Sequence, residues 1–397
     1  MSRADGDYGF TAGERVYDVI VVGAGSMGMS AGYQLAKRGA RVLLLDAFDP
    51  PHGEGSHHGE TRLIRHAYSG GDAYVRLALR AQQLWEEAEA LTGERLLAKS
   101  GVLNLADPDV HSHRGRYWDA VRLGVSVEML DAADIRRRWP GLALPDRFEA
   151  LYEPDAGYLF SERCVAAYRK LALANGAKLL TGTPVIGVTA RAGRASVHTP
   201  HGDYHAGAAV LCAGAWFGGL ADFLPLPIRP LRKVVGWFET SGDDYREGTL
   251  PGFTMATAGG VYYGFPDIAG MGLKIGRHDG GHPWRPGEPL APFGRYAEDE
   301  GDLRGALGTF MPGAAGRLLR GSACKYAMTP DEHFIIDRHP EHPHVLIAGG
   351  FSGHGFKFAS AVGELLAEMA DGAADGAEIN LFALSRFNPA PAPVHDH

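Results

Sequence analysis

The run Val19-Ile20-Val21-Val22-Gly23-Ala24-Gly25-Ser26-Met27-Gly28 constrains this chain more than any other. Its β-branched opening reads as a buried parallel strand. The glycines that follow match G-x-G-x-x-G. Gly23 permits the tight turn, Gly25 lets backbone approach a pyrophosphate, and Gly28 lets a helix pack against the strand. Met27 to Lys37 carries helix formers and stops at Gly39, a C-terminal cap. Arg41–Leu45 is a second short strand, closed by Asp46 roughly 20 residues past the turn, where a carboxylate accepts hydrogen bonds from ribose hydroxyls. Strand, turn, helix and strand make one right-handed βαβ unit. The helix start, with Ser26 and Met27, offers free N–H groups and partial positive charge to an anion. A dinucleotide cofactor is expected, and the motif alone does not separate NAD from FAD.

Bulk properties narrow the partners. A net charge of −8, from 39 basic and 47 acidic residues, gives no footprint for nucleic acid. The longest apolar runs are strand-sized, so no membrane span is expected. Met1–Glu14 lacks the apolar core of a secretory signal. Cys164, Cys212 and Cys324 are too few and too scattered for a disulfide framework, which points to a reducing cytoplasm. The 18 histidines form no H-E-x-x-H pattern and meet no Cys pair, so no native metal is expected.

Further along, residues 47–66 are rich in Gly, His and Pro and read as a long loop. Tyr74–Ala90 and Ser161–Ala174 read as helices. Ala208–Cys212 and Val345–Ala348 are small strands that run into glycines. From Ile228 to Lys274 the alternation is aromatic-rich and predicts an antiparallel sheet. Nucleotide-type elements thus occur at the start, middle and end. The expected fold is α/β, with a Rossmann-like cofactor domain from residues 1–88, 155–222 and 322–388. An α+β substrate domain on an antiparallel sheet takes residues 89–154 and 223–321, and residues 389–397 form a disordered tail.

After Asp46 comes Asp49-Pro50-Pro51-His52-Gly53-Glu54-Gly55-Ser56-His57-His58-Gly59-Glu60-Thr61-Arg62-Leu63-Ile64-Arg65-His66. Arg138-Trp139-Pro140-Gly141, Gly264-Phe265-Pro266, Gly272-Leu273-Lys274, Asp331-Glu332-His333-Phe334-Ile335-Ile336-Asp337 and Gly350-Phe351-Ser352-Gly353-His354-Gly355-Phe356-Lys357 follow in order. These motifs resemble the glycine/D-amino-acid oxidase-like flavoenzyme family, and in particular its sarcosine-oxidising members, over nearly the whole chain. The resemblance implies FAD rather than NAD. It also implies a covalent link from the flavin 8α-methyl carbon to Cys324, in Gly321-Ser322-Ala323-Cys324-Lys325-Tyr326. Lys325 stands where the family pattern has Met, and Ala327 differs too. Attack on the flavin needs a thiolate, which nearby positive charge favours.

The resemblance assigns the remaining roles. Arg65 and Lys357 match the residues that hold the substrate carboxylate, one as a bidentate fork and one as a point charge. Tyr263 and His278 match residues that position the amine, and Lys274 the lysine that activates oxygen. Arg62 and His58 match residues near the flavin ring. Gly353, His354 and Lys357 belong to the last cofactor-contacting motif. Thr254 stands where the sarcosine-oxidising pattern carries Met, so a pocket lined by Thr254 is wider and more polar.

The implied reaction converts sarcosine, oxygen and water to glycine, formaldehyde and hydrogen peroxide, in a monomer acting on a small amino acid. Thr254 keeps open larger N-methyl amino acids such as N-methyltryptophan, and cyclic imino acids such as proline and pipecolate. A dehydrogenase passing electrons to another acceptor, and a flavin-bound sensor without turnover, are the remaining readings. Lys274 speaks against the first, and the set Arg65, Lys357, Tyr263 and His278 against the second.

Overall fold

A computed structural model describes residues 16–68, 71–191, 193–373 and 380–387. The leader, Met1–Glu14, and the tail, 389–397, lie outside the described residues. Strand β1 (Val16–Val22) enters the glycine turn, helix α1 (Ser26–Lys37) leaves it, and β2 (Val42–Leu45) returns parallel to β1. Gly39 follows the helix at φ 85°, in the left-handed region expected of a stop. In β1, Val19 and Val21 pack under the helices, while Ile20 and Val22 pack on the opposite face of the sheet. The stretch Val19–Val22 is apolar throughout because both its faces are buried.

β1 and β2 lie inside an eight-stranded sheet. Gly202–Leu211 pairs parallel with β1, and Val345–Gly349 pairs parallel with the end of Gly202–Leu211. The strands at Val16, Gly202 and Val345 come from the beginning, middle and end of the chain. Their C-terminal ends therefore converge on one edge, where ligands bind in sheets of this type.

The glycine turn is fixed by close approach. Gly23 lies at φ 86°, and a Cβ at Gly28 would stand 1.8 Å from the Gly23 carbonyl oxygen. No other residue fits at Gly28 without separating helix from strand.

A nine-stranded sheet forms the second half of the molecule. Its strand pairs are antiparallel, as the alternation predicts, except that Val102–Ala106 runs parallel to Gly252–Thr257. One face carries Leu103, Phe253, Ile275 and Phe238 into a core closed by the helix Glu298–Phe310. That helix is locked by Asp299, which accepts two hydrogen bonds from Arg232 at 2.8 and 2.6 Å, both residues being buried. Asp299→Ala leaves the guanidinium buried without its counter-charge, which destabilises by about 3–5 kcal/mol. Chemical denaturation of the holoenzyme reads this, and a loss under about 1 kcal/mol would mean the pair is not shielded from water.

One sequence expectation needs correction. Residues 47–66 are not loop throughout: Thr61–Ile64 forms β3, paired antiparallel with Gly157–Phe160. The strand is made by a partner about a hundred residues away, and its Gly- and His-rich flanks hide it. Among the described residues, no helix is long and apolar enough to cross a membrane.

Candidate active site

Two cavities meet between the sheets. The first, about 480 Å³, lies over the glycine turn and is lined by Gly23, Gly25, Ser26, Met27 and Asp46. The second, about 490 Å³, is lined by Arg65, Thr254, Tyr263, His278, His354 and Lys357. Arg62, Tyr326, Gly353 and Phe356 line both. Both volumes are of the usual size for ligand pockets, roughly 300–1,000 Å³.

The first cavity fits a dinucleotide. α1 has no side-chain cap and no acid in its first turn, so among the described residues no side chain answers its first N–H groups. The nearest side-chain atom to a Cβ built at Gly25 is Nδ1 of His57, at 3.5 Å, so the turn offers bare backbone to the cavity. Asp46 is oriented by its own chain: Oδ2 accepts from the Ala24 N–H at 2.8 Å and Oδ1 from the Phe48 N–H at 2.9 Å. Gly28 lies beneath the turn and does not line the cavity. His57 lines it where His58 does not. Burial is the main cause that holds both rings neutral, with pKa values of about 3 and about 4.

The second cavity is built by strand register. Asn104, Thr254, Tyr263 and Gly276 stand opposite one another on four successive strands. Lys274 is two residues from Gly276 and shares its face. Across Arg229–Phe238, Lys233 pairs with Cys324 and Leu231 with Tyr326, which extends the same face. Residues far apart in sequence thus project from one side of one sheet. A Cβ at Gly353 would stand 2.0 Å from the Tyr326 ring, so the loop after Val345–Gly349 closes onto this face only with glycine there.

Arg65 and Lys357, 292 positions apart, meet at Tyr68. The Arg65 guanidinium lies 4.8 Å from the Tyr68 ring centre, and Lys357 Nζ donates to the Tyr68 hydroxyl at 2.7 Å and to the His354 carbonyl at 2.6 Å. Burial and then Arg65 push the Lys357 pKa well down. An anion in the cavity relieves that cost. Tyr263 and Tyr326 have their hydroxyls 3.4 Å apart, and burial raises Tyr263 to about 12, so it is a neutral phenol. Burial, then Lys233, Arg65 and Lys357, lowers His278 to about 4, so it is a neutral imidazole.

Lys274 and Cys324 line neither cavity. Lys274 Nζ donates to Gly59 O, and to Thr61 O and Oγ1 at 3.1 Å each, behind Arg62. Arg62 itself donates to the carbonyls of Thr61, Ser56 and His58. Burial raises the Cys324 thiol, opposed by the charges of Arg62, Lys274, Lys233 and Lys325.

Several site residues carry no sequence signal. Glu162, at the start of the helix Ser161–Ala174, accepts from the N–H groups of Gly59 at 2.6 Å and Glu60 at 3.0 Å, and so fixes the segment before Arg62. Asn104 interrupts an apolar strand, which is the one visible hint of it. Lys233 donates to three successive carbonyls, His278, Asp279 and Gly280, at 2.5–2.8 Å, and thereby holds the turn that carries His278. Arg116 and His113 lie in no motif yet line the second cavity.

His113 gives a pH dependence. Burial, then Arg116, lowers its pKa from 6.5 to about 3. The unfolded chain therefore takes up this proton before the folded one does. Stability from this group is complete above 6.5 and is lost as pH falls towards 3, by up to about 1.4 kcal/mol per pH unit. The melting temperature falls on acidification through that window, and less steeply in His113→Phe. Equal slopes would exclude His113 as a contributor.

The chain matches the family of FAD dependent oxidoreductases over residues 18–369. It is 47% identical over 374 residues to monomeric sarcosine oxidase of Bacillus sp. (strain B-0618), an alignment covering 93% of this chain and 96% of that protein. It is 42% identical to N-methyl-L-tryptophan oxidase of Yersinia pestis (strain Pestoides F), covering 94% and 99%. Among solved structures, NikD, an unusual amino acid oxidase essential for nikkomycin biosynthesis, superposes with a TM-score of 0.80 at 26% identity, covering 96% of this chain and all of that one. L-proline dehydrogenase from P. horikoshii superposes at 0.83 with 24% identity, over 94% and 98%, a likeness of fold.

Proposed function

The chain belongs to the FAD-dependent oxidoreductase family, and from that premise we propose that it oxidises N-methyl and related secondary amino acids with oxygen as acceptor. Sarcosine, oxygen and water give glycine, formaldehyde and hydrogen peroxide. The observation that carries the reading is the cation pair Arg65 and Lys357, set in a cavity that meets the dinucleotide cavity at Arg62 and Tyr326. A carboxylate is the group such a pair recognises.

The glycine turn, with Ser26, Met27 and Asp46, would hold the pyrophosphate and ribose of FAD. Arg62, His58, Gly353 and His354 would stand at its flavin end. FAD supplies the hydride acceptor and the route of electrons to oxygen. Arg65 and Lys357 fix the substrate carboxylate. The same cations disfavour an ammonium close by, so the amine is held as the free base that oxidation requires. Neutral His278 and the Tyr263 phenol orient that amine by hydrogen bonds. Lys274 acts as a fixed charge through the Gly59–Thr61 backbone beside Arg62.

Cys324 would carry the flavin covalently. The four cations around it favour thiolate over thiol, against the effect of burial. Acid-precipitated parent enzyme keeps its yellow colour in the pellet, and Cys324→Ala releases it. A parent pellet that turned white would refute the link. The protein is proposed to act as a monomer in the cytoplasm.

Anaerobic mixing with sarcosine, N-methylalanine, N-methyltryptophan, proline and pipecolate tests the substrate class by flavin bleaching. Bleaching by at least one supports it, and bleaching by none would overturn it. Thr254 and the size of the second cavity favour substrates larger than sarcosine as a second reading.

A further inference from the structure

The second cavity has more positive charge at its inner end than an amino-acid carboxylate can match. Arg65, Arg116 and Lys357 meet there, and the carboxylate that acts on Arg116 and Lys357 is Glu153. Glu153 is fully buried and already committed to the N–H groups of His66 and Ala67 and to the Asn104 amide. The other acids on the cavity wall, Asp331 and Glu332, are exposed, and Asp331 is paired with Arg386. A substrate α-carboxylate balances one cation and leaves an excess.

The excess is centred on Arg116. Its Nε and one terminal nitrogen donate to the Ala67 carbonyl, at 3.2 and 2.7 Å. Its other terminal nitrogen has only a 3.5 Å contact with His113 Nδ1. Arg65, Arg116 and Thr254 all donate to a single neutral oxygen, Oδ1 of Asn104, at 3.3, 3.4 and 3.1 Å. An amide oxygen thus stands where a counter-charge is wanted. Burial, then Arg65, lowers Arg116 to about 9. His113 is 2% exposed, and its Nε2 has no hydrogen-bond partner. The Asn104 backbone is the neighbour that raises the pKa of this ring, against burial and the cations around it.

We propose that the end of the cavity formed by Arg116, His113 and Thr254 receives the side-chain carboxylate of an N-methyl dicarboxylic amino acid, of the aspartate or glutamate type, while Arg65 and Lys357 hold its α-carboxylate. Two guanidinium groups that reach one oxygen are spaced on the scale of two carboxylates a few bonds apart. Oxidation at the N-methyl carbon then gives the free dicarboxylic amino acid, formaldehyde and hydrogen peroxide, with the same balance as for sarcosine. This assignment rests on the oxidase reading above.

The test compares each acid with its amide in the holoenzyme. Peroxide formation is measured with sarcosine, N-methylglutamate, N-methylglutamine, N-methylaspartate and N-methylasparagine. At least one acid exceeds its amide in kcat/KM by about tenfold or more, and Arg116→Gln brings that ratio towards one. If sarcosine is turned over and neither acid gains on its amide, the subsite is overturned while the oxidase reading stands. Calorimetry with succinate and glutarate against butyrate separates the converse case without turnover and without a variant. Dicarboxylates that bind about tenfold tighter support the subsite even if no amino acid yields peroxide. Equal binding overturns it.

Discussion

Arg65→Gln lowers kcat/KM for sarcosine by about 10²–10³-fold, most of it through KM. Arg65 is held by one long hydrogen bond to Asn104 and by the face of Tyr68, so most of its donors face the cavity. Removing one partner of a buried, hydrogen-bonded charge pair costs about 2–5 kcal/mol, and each 1.4 kcal/mol is tenfold in binding. The loss exceeds that of an exposed contact because the site is buried, Lys357 being 5% exposed, although removing Arg65 relieves part of the cost of charging Lys357. Glutamine is shorter but keeps the stem carbons and a polar end, so the fold survives. Steady-state kinetics with a carboxylate inhibitor as a second ligand checks the prediction. A variant whose KM stays within about threefold of the parent would place the carboxylate elsewhere.

The second large effect falls on oxygen. Lys274→Met slows reaction of the reduced enzyme with oxygen by about 10²–10³-fold, the usual consequence of removing one fixed charge or donor beside a developing anion. Three acceptors, Gly59 O, Thr61 O and Thr61 Oγ1, match the three hydrogens of an ammonium group, while burial and Arg62 push towards the neutral amine. Methionine fills the volume and leaves those acceptors without a donor. The variant therefore also loses stability, about 1–3 kcal/mol for each acceptor left unsatisfied. Stopped-flow measurement of the two half-reactions separates these effects. Anaerobic reduction by sarcosine persists while reoxidation slows, and equal slowing of both would mean that Lys274 acts through the fold alone.

Much of this was legible in the chain because some constraints are local. The turn Gly23–Gly28 needs glycine for contacts made within a few residues, so strand, helix and Asp46 could be read together. Ala208–Cys212 and Val345–Ala348 were legible as short apolar strands running into glycines, although only the sheet shows that the first lies beside β1 and the second beside the first. The rest depends on register. Asn104, Thr254 and Tyr263 stand in line because Val102–Ala106 aligns with a hairpin, Gly252–Thr257 and Gly260–Phe265, far along the chain, and nothing in Val102–Ala106 announces that partner. β3 was hidden for the same reason. Arg116, His113 and Glu162 sit at helix starts with no motif around them, and their roles follow from what faces them across a cavity or a loop. A resemblance to relatives carried Arg65, Lys357 and Lys274 to their positions. It could not show that Lys274 donates to Gly59 and Thr61 instead of lining either cavity.

The central claim is that electrons from a secondary amino acid pass to oxygen at this site. The most direct measurement is the stoichiometry of turnover with sarcosine, following oxygen uptake, peroxide and formaldehyde together in the holoenzyme. The expected result is equal molar amounts of all three, with no added electron acceptor. Formaldehyde formed only when an artificial acceptor is supplied, with no peroxide, would contradict it and make the protein a dehydrogenase.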